Sequence, residues 1–101
     1  MNVQAKGQPI RVELGDQEAE GTYSNLAFVS HTASEFILDF ARLLPGSPKA
    51  RVHARVIMTP QSAKALQKSL EANVQRFEEV HGEIKLAGQT NATPNIGFHT
   101  N

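Results

Sequence analysis

The sequence predicts an α+β domain: an antiparallel β-meander of about four strands followed by one long C-terminal helix packed on the sheet. Three observations carry this reading. Apolar residues recur with a period of two between Thr22 and Leu44 and again between Ala50 and Met58. Pro45-Gly46-Ser47-Pro48 separates those stretches with residues that favour turns and cannot sustain a ladder. From Thr59-Pro60 onward the period changes to three and four residues and stays so for some twenty positions, a length typical of one long helix.

Residues 1–8 are polar and short-sided, so a frayed end is expected there. Ile10-Arg11-Val12-Glu13-Leu14 alternates and reads as a half-buried edge strand. An acidic connection bounded by Gly15 and Gly21 follows. In the strand segment Thr22 to His31, Tyr23, Asn25, Ala27 and Val29 share one face, and Leu26 and Phe28 the other. Glu35 to Leu44 is apolar on both faces, with Phe36, Leu38 and Phe40 opposite Ile37, Ala41 and Leu43. That pattern suits a central strand. A helix capped by Ser34 competes for the same segment; the close packing of Phe, Ile, Leu and Phe favours the strand.

Beyond the turn, Val52, Ala54, Val56 and Met58 fall on one face of the next strand. Arg51, His53 and Arg55 fall on the other, where Ile57 interrupts them. Its short connection predicts antiparallel pairing with Glu35–Leu44. Thr59 is a helix N-cap and Pro60 suits the first helical position. Ala63, Leu66, Leu70, Val74, Phe77 and His81 form one stripe, and Gly82 is placed as the left-handed residue past the end. At 1.5 Å per residue this helix is about 33 Å long, enough to cross the sheet diagonally. Glu83-Ile84-Lys85-Leu86 reads as a short strand or an extended exit. Residues 1–86 thus form a single domain, and 87–101, without Asp, Glu, Lys or Arg, reads as a flexible polar tail. Its Pro94-Asn95-Ile96-Gly97-Phe98 is a candidate docking peptide.

Composition narrows function mainly by exclusion. A chain of 101 residues builds one domain, and with five Phe, one Tyr and no Trp its core rests on aliphatic side chains. Ten basic and ten acidic residues cancel, which counts against a dedicated nucleic-acid binder. The absence of Cys excludes a disulfide framework, a thiolate metal site and a Cys nucleophile. No apolar run reaches membrane-spanning length, so a cytoplasmic protein without membrane contact is the expectation.

The chain resembles a bacterial family of about this size, described only as a conserved domain of unknown function. The resemblance rests on Tyr23-Ser24-Asn25, Val29-Ser30-His31, Glu35-Phe36 with Leu38-Asp39-Phe40, Pro45-Gly46, Arg55-Val56 with Thr59-Pro60, and Gly82-Glu83-Ile84. It spans Glu20 to Leu86, contains no catalytic signature and implies no activity. The order of elements is also similar to SecB-type export chaperones, which assemble as dimers and tetramers; that likeness is architectural and without shared motif residues.

The candidate site residues are weighed singly. His31, His53, His81 and His99 match no metal-ligand spacing, and separate structural roles are expected; no metal or cofactor is called for. Asp39 with Arg51, His53 and Arg55 on the neighbouring strand is the foremost charge cluster, read as an ion-pair ladder or as an anion-binding face. Ser30 and His31 point to opposite strand faces and cannot form a nucleophile–base pair, so no catalytic residue is assigned. Tyr23 and Asn25 share a face and could hold a ligand. Ile37, Ala41, Leu43 and Ile57 would stay wet if the helix covers only the opposite face, which points to a homodimer or tetramer. The resulting expectation is a non-enzymatic, oligomeric protein-binding or adaptor protein of chaperone-like character. The alternative is a regulatory nucleic-acid binder using the Arg51/Arg55 face.

Overall fold

A computed structural model describes residues 2–5 and 8–87. The elements run β1 (Asn2–Ala5), β2 (Gln8–Arg11), α1 (Asp16–Ala19), β3 (Leu26–His31), β4 (Phe36–Arg42), β5 (Arg51–Met58) and α2 (Pro60–His81). The fold is α+β, with a three-stranded antiparallel sheet in the order β3-β4-β5 followed by the C-terminal helix. β4 is central, as its two-sided apolarity predicts, and the competing helix over that segment does not form.

The meander has three strands rather than four. β1 and β2 make a separate two-stranded hairpin with Asn2 opposite Arg11 and Ala5 opposite Gln8. The backbone from Asn2 to Ala5 is therefore paired where the sequence suggests fraying. The expected strand Ile10–Leu14 is shifted toward the N-terminus; Leu14 is 72% exposed and outside any strand. A partner a few residues away closes a much smaller loop than the main sheet would, and the loop-closure cost is lower. The acidic connection holds the single turn α1.

Local chemistry sets the connections. Between β3 and β4, Thr32 Oγ1 accepts from the backbone N–H groups of Ser34 and Glu35, and Thr32 N–H donates to Glu35 O at 2.9 Å. Between β4 and β5, Gly46 takes φ 80°, a conformation open to glycine at no steric cost. Thr59 caps α2 by accepting from Ser62 N–H at 3.1 Å, and Pro60 follows at the first position. The helix spans Pro60–His81 as its period predicts. Gly82 ends it with φ 95° and ψ 169°, so its φ is positive as expected, but its ψ is extended rather than left-handed helical. Ile84 N–H donates to Glu78 Oε2 at 2.9 Å, which tethers an extended exit rather than a last strand. The residues from 88 onward, with the expected tail and its Pro94–Phe98 segment, lie outside the described residues.

The two faces of the sheet differ. On one, cross-strand rows read His31–Phe36–Met58, Val29–Leu38–Val56 and Ala27–Phe40–Ala54. On the other they read Ser30–Ile37–Ile57, Phe28–Asp39–Arg55 and Leu26–Ala41–Val52. The N-terminal half of α2 lies over the first, apolar face. Coverage is thin: among the described residues Ala41 alone is a fully buried hydrophobic, and Leu70 and Phe77 of the helix stripe are 58% and 49% exposed.

Candidate functional site: an open groove between helix and sheet

An open concavity lies between α2 and the apolar sheet face. It has a volume of about 600 Å³ and is walled by Val29, Phe36 and Leu38 below and by Ala63, Leu66 and Leu70 above. The strand alternation places the lower wall and the helical period places the upper one. Lys64 and Gln67 stand at its rim. None of the candidate site residues weighed in the sequence lines it. The signal was available: a helix of aliphatic residues without a single Trp, facing a sheet whose few aromatics are spread over both faces, has little bulk with which to close the layer.

The sequence-designated residues take other roles. Asn25 acts as a surrogate backbone unit: its Nδ2 donates to Leu43 O at 3.0 Å and its Oδ1 accepts from Leu43 N–H at 2.9 Å. Its own N–H donates to Ala41 O, and Ser24 Oγ donates to the same carbonyl. The Tyr-Ser-Asn segment thus extends the β3–β4 ladder by side-chain bonds. Tyr23, Asn25 and Leu43 do meet, with the Pro45-Gly46-Ser47 turn, around a shallow cleft of about 580 Å³. His31 stacks on Phe36 across the strand pair with ring centroids 5.3 Å apart, and Phe77 meets His81 one helical turn on at 4.6 Å.

Ala41 cannot serve as the exposed interface residue expected of it, because it is fully buried. It is the smallest side chain of its row and is flanked by Leu26 and Val52 on the neighbouring strands. Ile57 and Leu43 are exposed as expected, at 55% and 43%, while Ile37 is half-buried.

The charge cluster separates. Asp39 and Arg55 are directly opposed on β4 and β5 and form a bidentate pair, Nε to Oδ1 at 2.6 Å and Nη2 to Oδ2 at 2.9 Å. The hydrogen bonds from Arg55 hold the Asp39 carboxyl below its usual range, against partial burial that pushes it up, and the same bonds raise Arg55. This is the ion-pair rung of the two readings. Arg51 and His53 do not join it. The register shifts between Phe40 and Ala41, so that Phe40 faces Ala54 while Ala41 faces Val52, and His53 is the extra residue of a β-bulge. The bulge moves Arg51 to the opposite face, beside Arg42. The expected common face for Arg51 and Arg55 is therefore not formed. Among the described residues no three His, Asp or Glu side chains gather as metal ligands, and no helix is long and apolar enough to cross a membrane.

No curated protein and no solved structure matches this chain. A family model does, over residues 1–86, which is most of the sequence. The chain belongs to the family described as protein of unknown function (DUF3467).

Proposed function

We propose that this chain is a subunit of a non-enzymatic homo-oligomer, a dimer or tetramer, which binds other polypeptides on apolar surface as an adaptor or chaperone-like protein. One observation carries the reading: a domain of this length has only one fully buried hydrophobic side chain among its described residues, while Leu66, Leu70, Phe77 and Ile57 are 40–58% exposed. A globular protomer of this size would bury about two-thirds of its unfolded surface. Exposed apolar surface on both layers is the signature of an association site. A standard interface removes about 800 Å² from each partner, and the Ile57 side of the sheet is the face open to it. The groove on the inner face then remains for a ligand, and its aliphatic lining suits apolar side chains of an extended chain. The expected likeness in element order to SecB-type chaperones is an analogy only. The nucleic-acid alternative is weakened because Arg55 is committed to Asp39 and Arg51 lies on the other face.

Light scattering coupled to size exclusion tests the assembly, and titration with a reduced, alkylated and permanently unfolded test protein tests the binding. The expected result is a multiple of 11.0 kDa and saturable binding of the unfolded chain. A single 11.0 kDa species at micromolar concentration, or no binding of the unfolded chain, overturns the corresponding half of the proposal.

A further inference from the structure

The bulge at His53 places two arginines directly opposite one another. Arg42 closes β4 and Arg51 opens β5, and the register pairs them on the apolar face, one row beyond Phe40–Ala54. Like charges facing across strands destabilise a sheet, with side chains rooted only about 5 Å apart. Among the described residues no carboxylate pairs with either arginine; the ion pair there is Arg55 with Asp39. In addition, Arg42 Nε is buried from solvent and has no hydrogen-bond partner. A buried guanidinium donor without an acceptor is costly and uncommon. Bulges frequently re-aim side chains beside functional sites. The opposed arginines and the unpartnered Arg42 Nε suit an oxyanion bound between the pair.

We propose that Arg42 and Arg51 form a carboxylate site at the basic end of the apolar face, and that it takes an acidic side chain of the bound polypeptide. The inference rests on the polypeptide-binding reading above. The rows of the sheet supply the ruler. Leu38 lies at the groove and Arg42 four residues along the same strand, about 13 Å away at 3.3 Å per residue. An extended peptide with an apolar residue in the groove puts its fourth following or preceding residue over the arginines. Two planar guanidinium forks rooted on paired strand positions suit a carboxylate. A chain of zero net charge with a single such pair does not track the repeating phosphates of a nucleic acid.

The test uses the full chain, isotope-labelled for side-chain N–H spectra of arginine, and two fluorescent peptides. One carries a Leu-Val anchor with Glu four positions on; the other carries Gln in its place. The native protein should bind the Glu peptide about tenfold tighter, the scale of one charge-assisted hydrogen bond. Arg51→Gln and Arg42→Gln should each abolish that preference and leave the Gln peptide unaffected. Lys49→Gln, which removes a cation from the adjoining turn, should preserve it. Arg51 is exposed, so its variant remains informative if Arg42→Gln folds poorly. Equal affinity for the two peptides overturns the proposal, as does an oligomer that dissociates in Arg51→Gln, which would make the pair a subunit contact. Tighter binding of an oligonucleotide than of the Glu peptide also overturns it. Acetate titration separates the two levels. Saturable shifts of the Arg42 and Arg51 Nε–H signals, with Arg55 unmoved, uphold the carboxylate site even if neither peptide binds and the polypeptide reading falls. Unmoved Arg42 and Arg51 signals sink the site itself.

Discussion

Replacing Asn25 with Ala should destabilise the fold by about 1–2 kcal/mol, although the side chain is exposed and touches no core residue. The magnitude follows from its bonds. Asn25 gives one hydrogen bond to Leu43 O at 3.0 Å and takes one from Leu43 N–H at 2.9 Å. Each such bond contributes about 0.5–1.5 kcal/mol net, and water can replace part of both at an exposed site, which favours the lower half of the summed range. The backbone bond from Asn25 N–H to Ala41 O survives in the alanine variant. Urea unfolding at one fixed protein concentration measures the change, since assembly makes stability concentration-dependent. The midpoint should fall with the slope unchanged. In a thermal scan the loss corresponds to about 4–8 °C for each kcal/mol. Asn25→Asp is the sharper control: it keeps the acceptor for Leu43 N–H but sets an oxygen against Leu43 O, so it should be no more stable than the alanine variant. An alanine variant within about 0.5 kcal/mol of the native chain, the range of neutral surface changes, refutes the surrogate-backbone role.

Two further expectations come from the same geometry. The Asp39 carboxyl is held low by Arg55, so the folded state binds its proton less readily than the unfolded state does. The stabilisation is therefore present above the unfolded Asp range and lost as pH falls through the folded value. Asp39→Asn should narrow its stability gap to the native chain as the medium is acidified, and a gap that stays constant through the acid range argues against the pair. At the helix ends, Thr59→Ala should cost about 1 kcal/mol through loss of the cap to Ser62. Gly82→Ala should cost about 1–3 kcal/mol from backbone strain at φ 95° alone, since nothing lies within 4 Å of the added methyl. Circular dichroism during chemical denaturation reads both, and a neutral Gly82→Ala would mean that the exit from α2 relaxes freely.

Much of this architecture was legible in the residue pattern because its causes are local. Thr59-Pro60 and Gly82 bracket α2, and the two-residue period marks β3, β4 and β5 to within a few positions. Alternation also put Phe36, Leu38 and Phe40 on one face of β4, and cross-strand pairing put Asp39 within reach of Arg55. What alternation cannot carry is a break in itself. The bulge at His53 arises from pairing between strands, and from there back to Arg51 it reverses which face each residue of β5 occupies. Arg51 therefore parted from Arg55 and met Arg42, which no reading of β5 alone would disclose.

The same division holds for the designated site residues. Tyr23 and Asn25 stood out as residues of one face that could hold a ligand, but the role of Asn25 as a ladder extension depends on Leu43, eighteen positions away, and on a geometry set only when β3 and β4 align. Ala41 was legible as apolar and not as buried, because burial depends on what the tertiary structure brings around it. The width of the groove is likewise a tertiary quantity. Periodicity says which stripe of a helix seeks an apolar partner; only the distance at which helix and sheet come to rest decides whether the side chains between them are buried or left open to a ligand.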